Sequence, residues 1–154
     1  MAAIAEYTSE AWNRWTEERV SMTALPWPKG RWRNFSRKEM ACRETDECWL
    51  DADFMDLLQD LREGCHFPLT VSSGYRSPDH SEEKDKDLPG AHTYGKAVDL
   101  VVGGHEAYVV LRWAMELGFS GIGVKQTGDD RFLHLDTLKP EDGLTPHRPT
   151  VWSY

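Results

Sequence analysis

The chain has 154 residues, of which 40% are hydrophobic and 29% are charged, and its formal net charge is −8 at pH 7. This length suits one domain with its own core, and an acidic chain without a basic cluster is not expected to bind nucleic acid. No apolar run approaches the ~18 residues of a membrane span, and the N-terminus lacks the basic start of a signal peptide, so we expect a protein that is cytoplasmic as synthesised and binds no membrane.

The first segment, residues 1–33, carries four of the seven tryptophans. Two of them, Trp12 and Trp15, fall on one face of a short helix predicted between residues 8 and 20. The segment is either a helical arm that docks on a protein partner or a strap that packs on the remaining domain, residues 34–154. Large aromatic side chains are mostly buried, which favours the strap.

Two helices are predicted next. Ser36–Glu39 reads as a capping box and predicts a short helix. Asp51 or Asp53 begins a longer helix, and Gly64 is suited to end it. This second helix carries an apolar stripe at helical spacing, formed by Phe54, Leu57, Leu58 and Leu61.

The three cysteines, Cys42, Cys48 and Cys65, are an odd number. Cys42 and Cys48 flank an acidic loop and are close enough in sequence to pair, but reduced thiols are the default for a chain without signs of secretion. No second close pair follows, so a cysteine-based zinc site is not expected.

Short runs rich in β-branched and aromatic residues predict strands. A helix from about His105 to Leu117 separates them, and Gly118 is expected at its end. Its inner face is predicted to carry Tyr108, Leu111 and Met115, with Val110 and Ala114 beside them. The tail, residues 144–154, is expected to wrap back on the sheet. The predicted strands are residues 69–73, 97–102, 121–125 and 131–136, the last two joined as a hairpin around Gly128. Because strands and helices occur in clusters, the fold class is α+β, a small antiparallel-rich sheet flanked by helices.

A candidate metal site lies around the strand at residues 97–102. Asp99 is a carboxylate within this apolar run, and a buried carboxylate must be paired or bound to metal. His92 precedes it in a loop that Gly95 allows to turn back over the strand. His134 is the best third ligand, although a single histidine in an apolar run is usually just a buried side chain. Three protein ligands leave a position for water, as in a catalytic zinc site.

Three motifs follow one another along the chain: SGYRSP at residues 73–78, HxxGxAxD at residues 92–99 and FxHxD at residues 132–136. Together they resemble the zinc D-alanyl-D-alanine carboxypeptidase and peptidoglycan endopeptidase family, which shares its fold with the hedgehog signalling domain and includes many phage lysis enzymes. The resemblance covers residues 34–154. It implies one zinc ion in a cleft and a peptidoglycan peptide as substrate.

The resemblance also implies that Arg76 lies beside the metal and has a catalytic role, in which it helps to hold or polarise the substrate. Its planar fork suits a carboxylate; a surface arginine in a turn is the alternative. Ser77 follows it as a further substrate-binding candidate. His80 is the third, in a polar loop at residues 79–89. This loop is more charged than in the family and has Ser81 where an asparagine is usual.

The family has an acidic residue as general base, the group that takes a proton from the attacking water, and this chain departs from the family pattern at that position. An acidic residue usually stands three positions before the last histidine, where this chain has Arg131. Asp136 is the first candidate, because alternation along a strand puts it on the same face as His134, and Asp130 is the second. Asp136 equally fits a role in orienting His134, and neither carboxylate need be the base.

Two functions follow from these observations. The first is a zinc peptidase that cuts peptidoglycan stem peptides or cross-links. The resemblance to phage lysis enzymes suggests that a phage encodes it and that it reaches the wall after release or delivery. The second is a non-catalytic, zinc-stabilised binding or virion structural domain. The complete ligand set favours the enzyme, and the missing acidic residue favours the second function.

Overall fold

A computed structural model describes residues 27–142 and 147–154 of the chain. These residues form an α+β fold with three α-helices and one five-stranded sheet, so the predicted fold class is confirmed. The helix predicted between residues 8 and 20, with Trp12 and Trp15, lies outside the described residues.

The first helix, α1 (Arg37–Met40), begins with the predicted capping box, which is confirmed. The Ser36 amide donates to Glu39 Oε2 at 2.8 Å, and the Glu39 amide donates to Ser36 Oγ at 3.3 Å. Together these two bonds satisfy donors at the start of the helix that have no partner within it.

The second helix, α2 (Ala52–Cys65), begins at Asp51, whose side chain accepts from the Phe54 amide at 2.8 Å. The helix does not end at Gly64 as predicted: it continues to Cys65, and His66 closes it with φ 59°. Gly64 has a packing role, since a Cβ there would lie 2.7 Å from the Trp113 ring. The predicted apolar stripe is buried in the core, with Leu57 half-buried at its edge.

The third helix, α3 (Gly104–Leu117), ends at Gly118 as predicted, with φ 88°. Its predicted inner face is wrong at Tyr108 and Met115, which are 69% and 63% exposed. Leu111 is half-buried against the core, and Val110 and Ala114, expected beside that face, are buried. The buried positions are Ala107, Val110 and Ala114. Both sets have helical spacing, and the small alanines allow a close helix approach that a tyrosine would prevent. No helix among the described residues is long and apolar enough to cross a membrane.

The sheet contains five strands: β1 (Val71–Ser73), β2 (Ala97–Leu100), β3 (Gly121–Lys125), β4 (Phe132–Asp136) and β5 (Thr150–Ser153). Their order in the sheet is β1-β2-β4-β3-β5. Its first three neighbouring pairs are antiparallel, and β5 lies parallel to β3, so residues 150–153 of the predicted tail return to the sheet. The predicted hairpin corresponds to β3 and β4.

Alternation along the strands gives the sheet two different faces. One face belongs to the hydrophobic core and carries Val98, Leu100, Ile122, Leu133 and Leu135. The other face carries polar groups, because Asp99 pairs with His134 across β2 and β4. On the same face, Gly123 of β3 lies between His134 and Trp152 of β5.

The segment before α1 packs on the domain from residue 27 onward. The Trp27 and Trp32 rings meet edge to face at 5.1 Å, and Trp32 Nε1 donates to Asp56 Oδ1 of α2 at 2.8 Å. The boundary at residues 33 and 34, and a partner for the N-terminal arm, stay predictions.

The three cysteines are free thiols. Burial raises the pKa of Cys48 and of Cys65 to about 11. Both thiols are therefore protonated at neutral pH and poor nucleophiles.

The packing of Gly64 can be tested by Gly64→Ala. In a helix interior, alanine is normally more stabilising than glycine by about 1 kcal/mol. Here, however, the new methyl group would meet the Trp113 ring. We expect the free energy of unfolding to fall by about 1–3 kcal/mol, the range for overpacking, measured by chemical denaturation. Asp60→Ala, at an exposed position of α2, is the control. An unchanged or increased stability of Gly64→Ala would contradict the packing role.

Candidate metal centre

The loop that carries His92 is folded back over β2 by Gly95. Gly95 has φ +69°, and its amide donates to the His92 carbonyl at 3.2 Å. A Cβ at this position would overlap the carbonyl oxygen of Trp49. Only glycine fits both the positive φ and this close approach, so the turn that delivers His92 depends on it.

Three ligand atoms converge where this loop meets the polar face of the sheet. His92 Nε2 lies 3.3 Å from Asp99 Oδ1, and His134 Nδ1 lies 3.1 Å from the same oxygen. The two imidazole rings are 5.1 Å apart at an angle of 74°. His92, Asp99 and His134, which we call the metal group, fit one metal ion, because their ligand atoms all lie within 4.8 Å of one another.

Each histidine is oriented by an acceptor on its far nitrogen. His92 Nδ1 lies 2.7 Å from the Gly74 carbonyl oxygen, and His134 Nε2 lies 2.9 Å from Asp136 Oδ2. If these nitrogens carry the protons, the lone pairs of His92 Nε2 and His134 Nδ1 both point toward Asp99. Two nitrogen donors and one carboxylate oxygen are a typical zinc ligand set, so the residues fit such an ion.

The charges of the site also suit a cation. Burial by itself raises the pKa of Asp99, but the hydrogen bonds and charges of His134 and His92 outweigh it and hold this pKa well below its usual range. Burial lowers the pKa of His134, whereas Asp136 and Asp99 raise it, and the net shift is upward. Asp99 therefore stays ionised over the whole physiological range.

Asp136 is buried behind His134, with no exposed side-chain surface. Its Oδ1 accepts from the Leu138 amide at 3.2 Å and from Arg148 Nε at 3.1 Å. Its Oδ2 accepts from His134 and from Arg148 Nη2, the latter at 3.1 Å. Burial raises the pKa of Asp136, but His134 and Arg148 outweigh it and lower this pKa.

Sequence reasoning missed Arg148 and Trp152, which come from the tail and β5. The Trp152 ring lies 5.1 Å from the His134 ring. The available signal was the Gly-x-Gly pattern of β3. A Cβ at Gly121 would overlap the Asp136 carboxylate, and one at Gly123 would lie 2.7 Å from Trp152 Nε1. Glycine in a strand marks such a close approach.

Arg76 lies at the edge of the metal group. Its Nη2 is 3.6 Å from Asp99 Oδ2, and its Nε donates to Ser73 Oγ at 3.2 Å. Its Nη1 is 3.2 Å from Glu82 Oε2 and 3.8 Å from Glu83 Oε1. The Arg76 side chain is 21% exposed, and its guanidinium already faces three carboxylates.

The charged loop at residues 79–89 has hydrogen bonds and an ion pair of its own, centred on Glu83. The Glu83 side chain is 2% exposed, and it accepts from Lys86 Nζ at 2.9 Å and from the Gly90 amide at 3.1 Å. Burial raises the pKa of Glu83, but these contacts outweigh it and lower this pKa. The buried Glu83 side chain thus links the two parts of the loop that carry Lys86 and Gly90.

Ser77 and His80 both bond to the backbone of this loop. Ser77 is fully buried, and its Oγ accepts from the Asp79 amide at 3.2 Å. His80 Nδ1 accepts from the Glu82 amide at 3.0 Å, and its Nε2 is 3.6 Å from Glu44 Oε1. Their roles in substrate binding stay predictions.

The loop between β3 and β4 carries the other two residues considered for the base position. Asp130 is exposed there and, among the described residues, is not part of the metal group. Arg131 Nε donates to the Gly128 carbonyl at 3.0 Å and so closes the same loop.

A family model described as Peptidase M15 matches residues 33–136, about two thirds of the chain. The match contains the three possible metal ligands and ends at Asp136, before Arg148 and Trp152. Among curated proteins and solved structures, none matches the chain.

From this geometry we expect His92→Ala to lose stoichiometric divalent metal, because the two remaining protein ligands would bind the ion much more weakly than three. Elemental analysis of the purified proteins gives the metal-to-protein ratio. His105→Ala changes an exposed histidine at the start of α3 and should leave the ratio unchanged. Full metal content in His92→Ala would show that the ion is held elsewhere.

Proposed function

Because the chain belongs to the peptidase M15 family, we propose that it hydrolyses peptide bonds of peptidoglycan stem peptides or cross-links, with one zinc ion held by His92, Asp99 and His134. The observation that carries this proposal is the convergence of two oriented imidazoles and one ionised carboxylate on a single point. When bound, zinc acts as a Lewis acid that lowers the pKa of water to about 7 and polarises a carbonyl oxygen.

The protein's own groups have separate tasks in this proposal. His92 and His134 supply neutral nitrogen donors, held in the right tautomer by the Gly74 carbonyl and by Asp136. Asp99 supplies the negative charge, and its low pKa keeps it ionised. Such fixed orientation reduces the reorganisation needed when the ion binds.

Asp136 orients His134 in this proposal and is not the general base. A base must reach the proton that it removes, directly or through one water. Both Asp136 oxygens already accept two hydrogen bonds each, and the side chain has no exposed surface. Asp130, in the exposed loop before β4, remains the candidate base of the two.

Arg76 is the group we assign to substrate binding, through an oxygen of the peptide. Its position favours an internal peptide bond over a C-terminal one. Glu82 already pairs with Nη1 of the guanidinium, and Glu83 lies close behind. A terminal substrate carboxylate would have to displace Glu82 against like charge, whereas an internal carbonyl would not. Endopeptidase action is therefore the preferred form of the activity.

A cell-wall substrate also requires that the protein reach the wall. Release during lysis or delivery with a virion fits a phage-encoded enzyme of this kind. We therefore propose that the protein meets its substrate after release or delivery.

The activity can be tested on purified peptidoglycan with and without a chelator. We expect hydrolysis that stops on zinc removal and returns on zinc addition. Chromatography of the products separates the two forms of activity, because an endopeptidase resolves cross-linked dimers and a carboxypeptidase releases free D-alanine. If the protein binds zinc but neither resolves cross-linked dimers nor releases D-alanine, it is the non-catalytic, zinc-stabilised binding or virion structural domain.

The role of Glu82 can be tested by Glu82→Gln. An exposed ion pair contributes up to ~1 kcal/mol, so we expect KM for peptides with a free C-terminal carboxylate to fall by about 2- to 5-fold. KM for the C-terminally amidated peptide should not change. Asp85→Asn, which removes one charge from an exposed position of the same loop, is the matched control. An equal change for both peptides would contradict competition at Arg76.

A further inference from the structure

The tail reaches back to the metal centre through Arg148, which lies beyond the residues matched by the family model. Arg148 Nε and Nη2 each donate at 3.1 Å to a different oxygen of Asp136. The side chains of Arg148 and Asp136 are 11% and 0% exposed. This is a two-point, shielded contact, unlike a mobile ion pair on the surface.

We propose that Arg148 is a positioning residue for the metal centre, an inference that rests on the proposed zinc site. Asp136 Oδ2 accepts from both Arg148 Nη2 and His134 Nε2. A carboxylate held by one donor can rotate about its Cβ–Cγ bond. The guanidinium fork holds both oxygens and so fixes the carboxylate plane. That plane sets the direction in which His134 presents Nδ1 to Asp99 and the ion.

The surroundings leave this arrangement little room to change. Gly121 lies under the Asp136 carboxylate, where any Cβ would overlap it. The Trp152 ring lies beside both Arg148 and His134, the two residues that flank Asp136. Its centroid is 5.5 Å from the Arg148 guanidinium carbon and 5.1 Å from the centroid of the His134 ring. Arg148, Asp136, His134 and Trp152 therefore form a closed loop of contacts, which supports a single orientation of the imidazole.

The geometry requires an arginine. A lysine at position 148 would keep the positive charge near Asp136, but an ammonium is a point charge without a planar fork. It would hold one carboxylate oxygen and leave the plane free to rotate. The inference thus separates the orientation of His134 from simple neutralisation of a buried carboxylate.

The experiment is a zinc affinity measurement by competition with a chromophoric chelator, starting from metal-free protein. Loss of a group that orients a ligand typically costs about 10–100-fold in metal affinity. We expect a loss in that range for Arg148→Gln and a loss of at least several-fold for Arg148→Lys. Lys96→Gln is the matched control, because it breaks the part-buried pair of Lys96 and Asp142 at 2.8 Å without touching the metal group.

The outcomes are distinct. A parent protein that binds no zinc overturns the proposed function and this inference with it. A parent that binds zinc, with Arg148→Gln binding equally tightly, overturns the inference alone. An equal affinity loss in Lys96→Gln would mean general destabilisation and would also overturn it. If Arg148→Gln does not fold, Arg148→Lys decides, and parental affinity in that variant contradicts the need for the fork.

A second measurement reports orientation directly. Long-range proton–nitrogen spectra of the zinc-loaded protein should show a slowly exchanging Nε2 proton on His134. In Arg148→Gln this proton should exchange faster, while the signals of His92, which is oriented by the Gly74 carbonyl, stay unchanged. Changes in both rings, or in neither, would contradict a positioning role for Arg148.

Discussion

The contact on which the site depends is the pairing of Asp99 with His134 across β2 and β4. It holds a carboxylate and an imidazole 3.1 Å apart in a largely buried position, where neither group is stable without a compensating partner. Every other feature of the site completes this pair. Gly95 turns the loop that brings His92 to the same oxygen, and Asp136 fixes the far side of His134.

The register of this pairing is held by the opposite face of the sheet. Val98, Leu100, Leu133 and Leu135 alternate with the polar residues and are fully buried in the core. A shift of β4 by one residue would move its two leucines to the polar face and its polar side chains into the apolar core, so packing of the core specifies the geometry of the site. The same alternation explains the two glycines of β3, which leave room on the polar face for the Asp136 carboxylate and the Trp152 indole.

Charge is arranged around the site in two layers. Behind the metal group, Arg148 compensates the buried Asp136 and is itself shielded from water. In front of it, Arg76 is more exposed and faces Asp99, Glu82 and Glu83. The inner pair is therefore suited to hold a ligand still, and the outer group is suited to exchange one partner for another. This difference follows from solvent access, since water screens the outer contacts much more strongly.

The sequence by itself determined the features that depend on local spacing: the capping box at Ser36, a helix start at either Asp51 or Asp53, the hairpin of β3 and β4, and the grouping of His92, Asp99 and His134 as possible ligands. These follow from periodicity and from a short loop closed by glycine. Only the tertiary structure decided which face of α3 is buried, why Gly64 is a glycine, and that Arg148 and Trp152 reach the site. Those outcomes depend on which surfaces meet in space, and contacts between distant segments leave no periodic pattern in the chain.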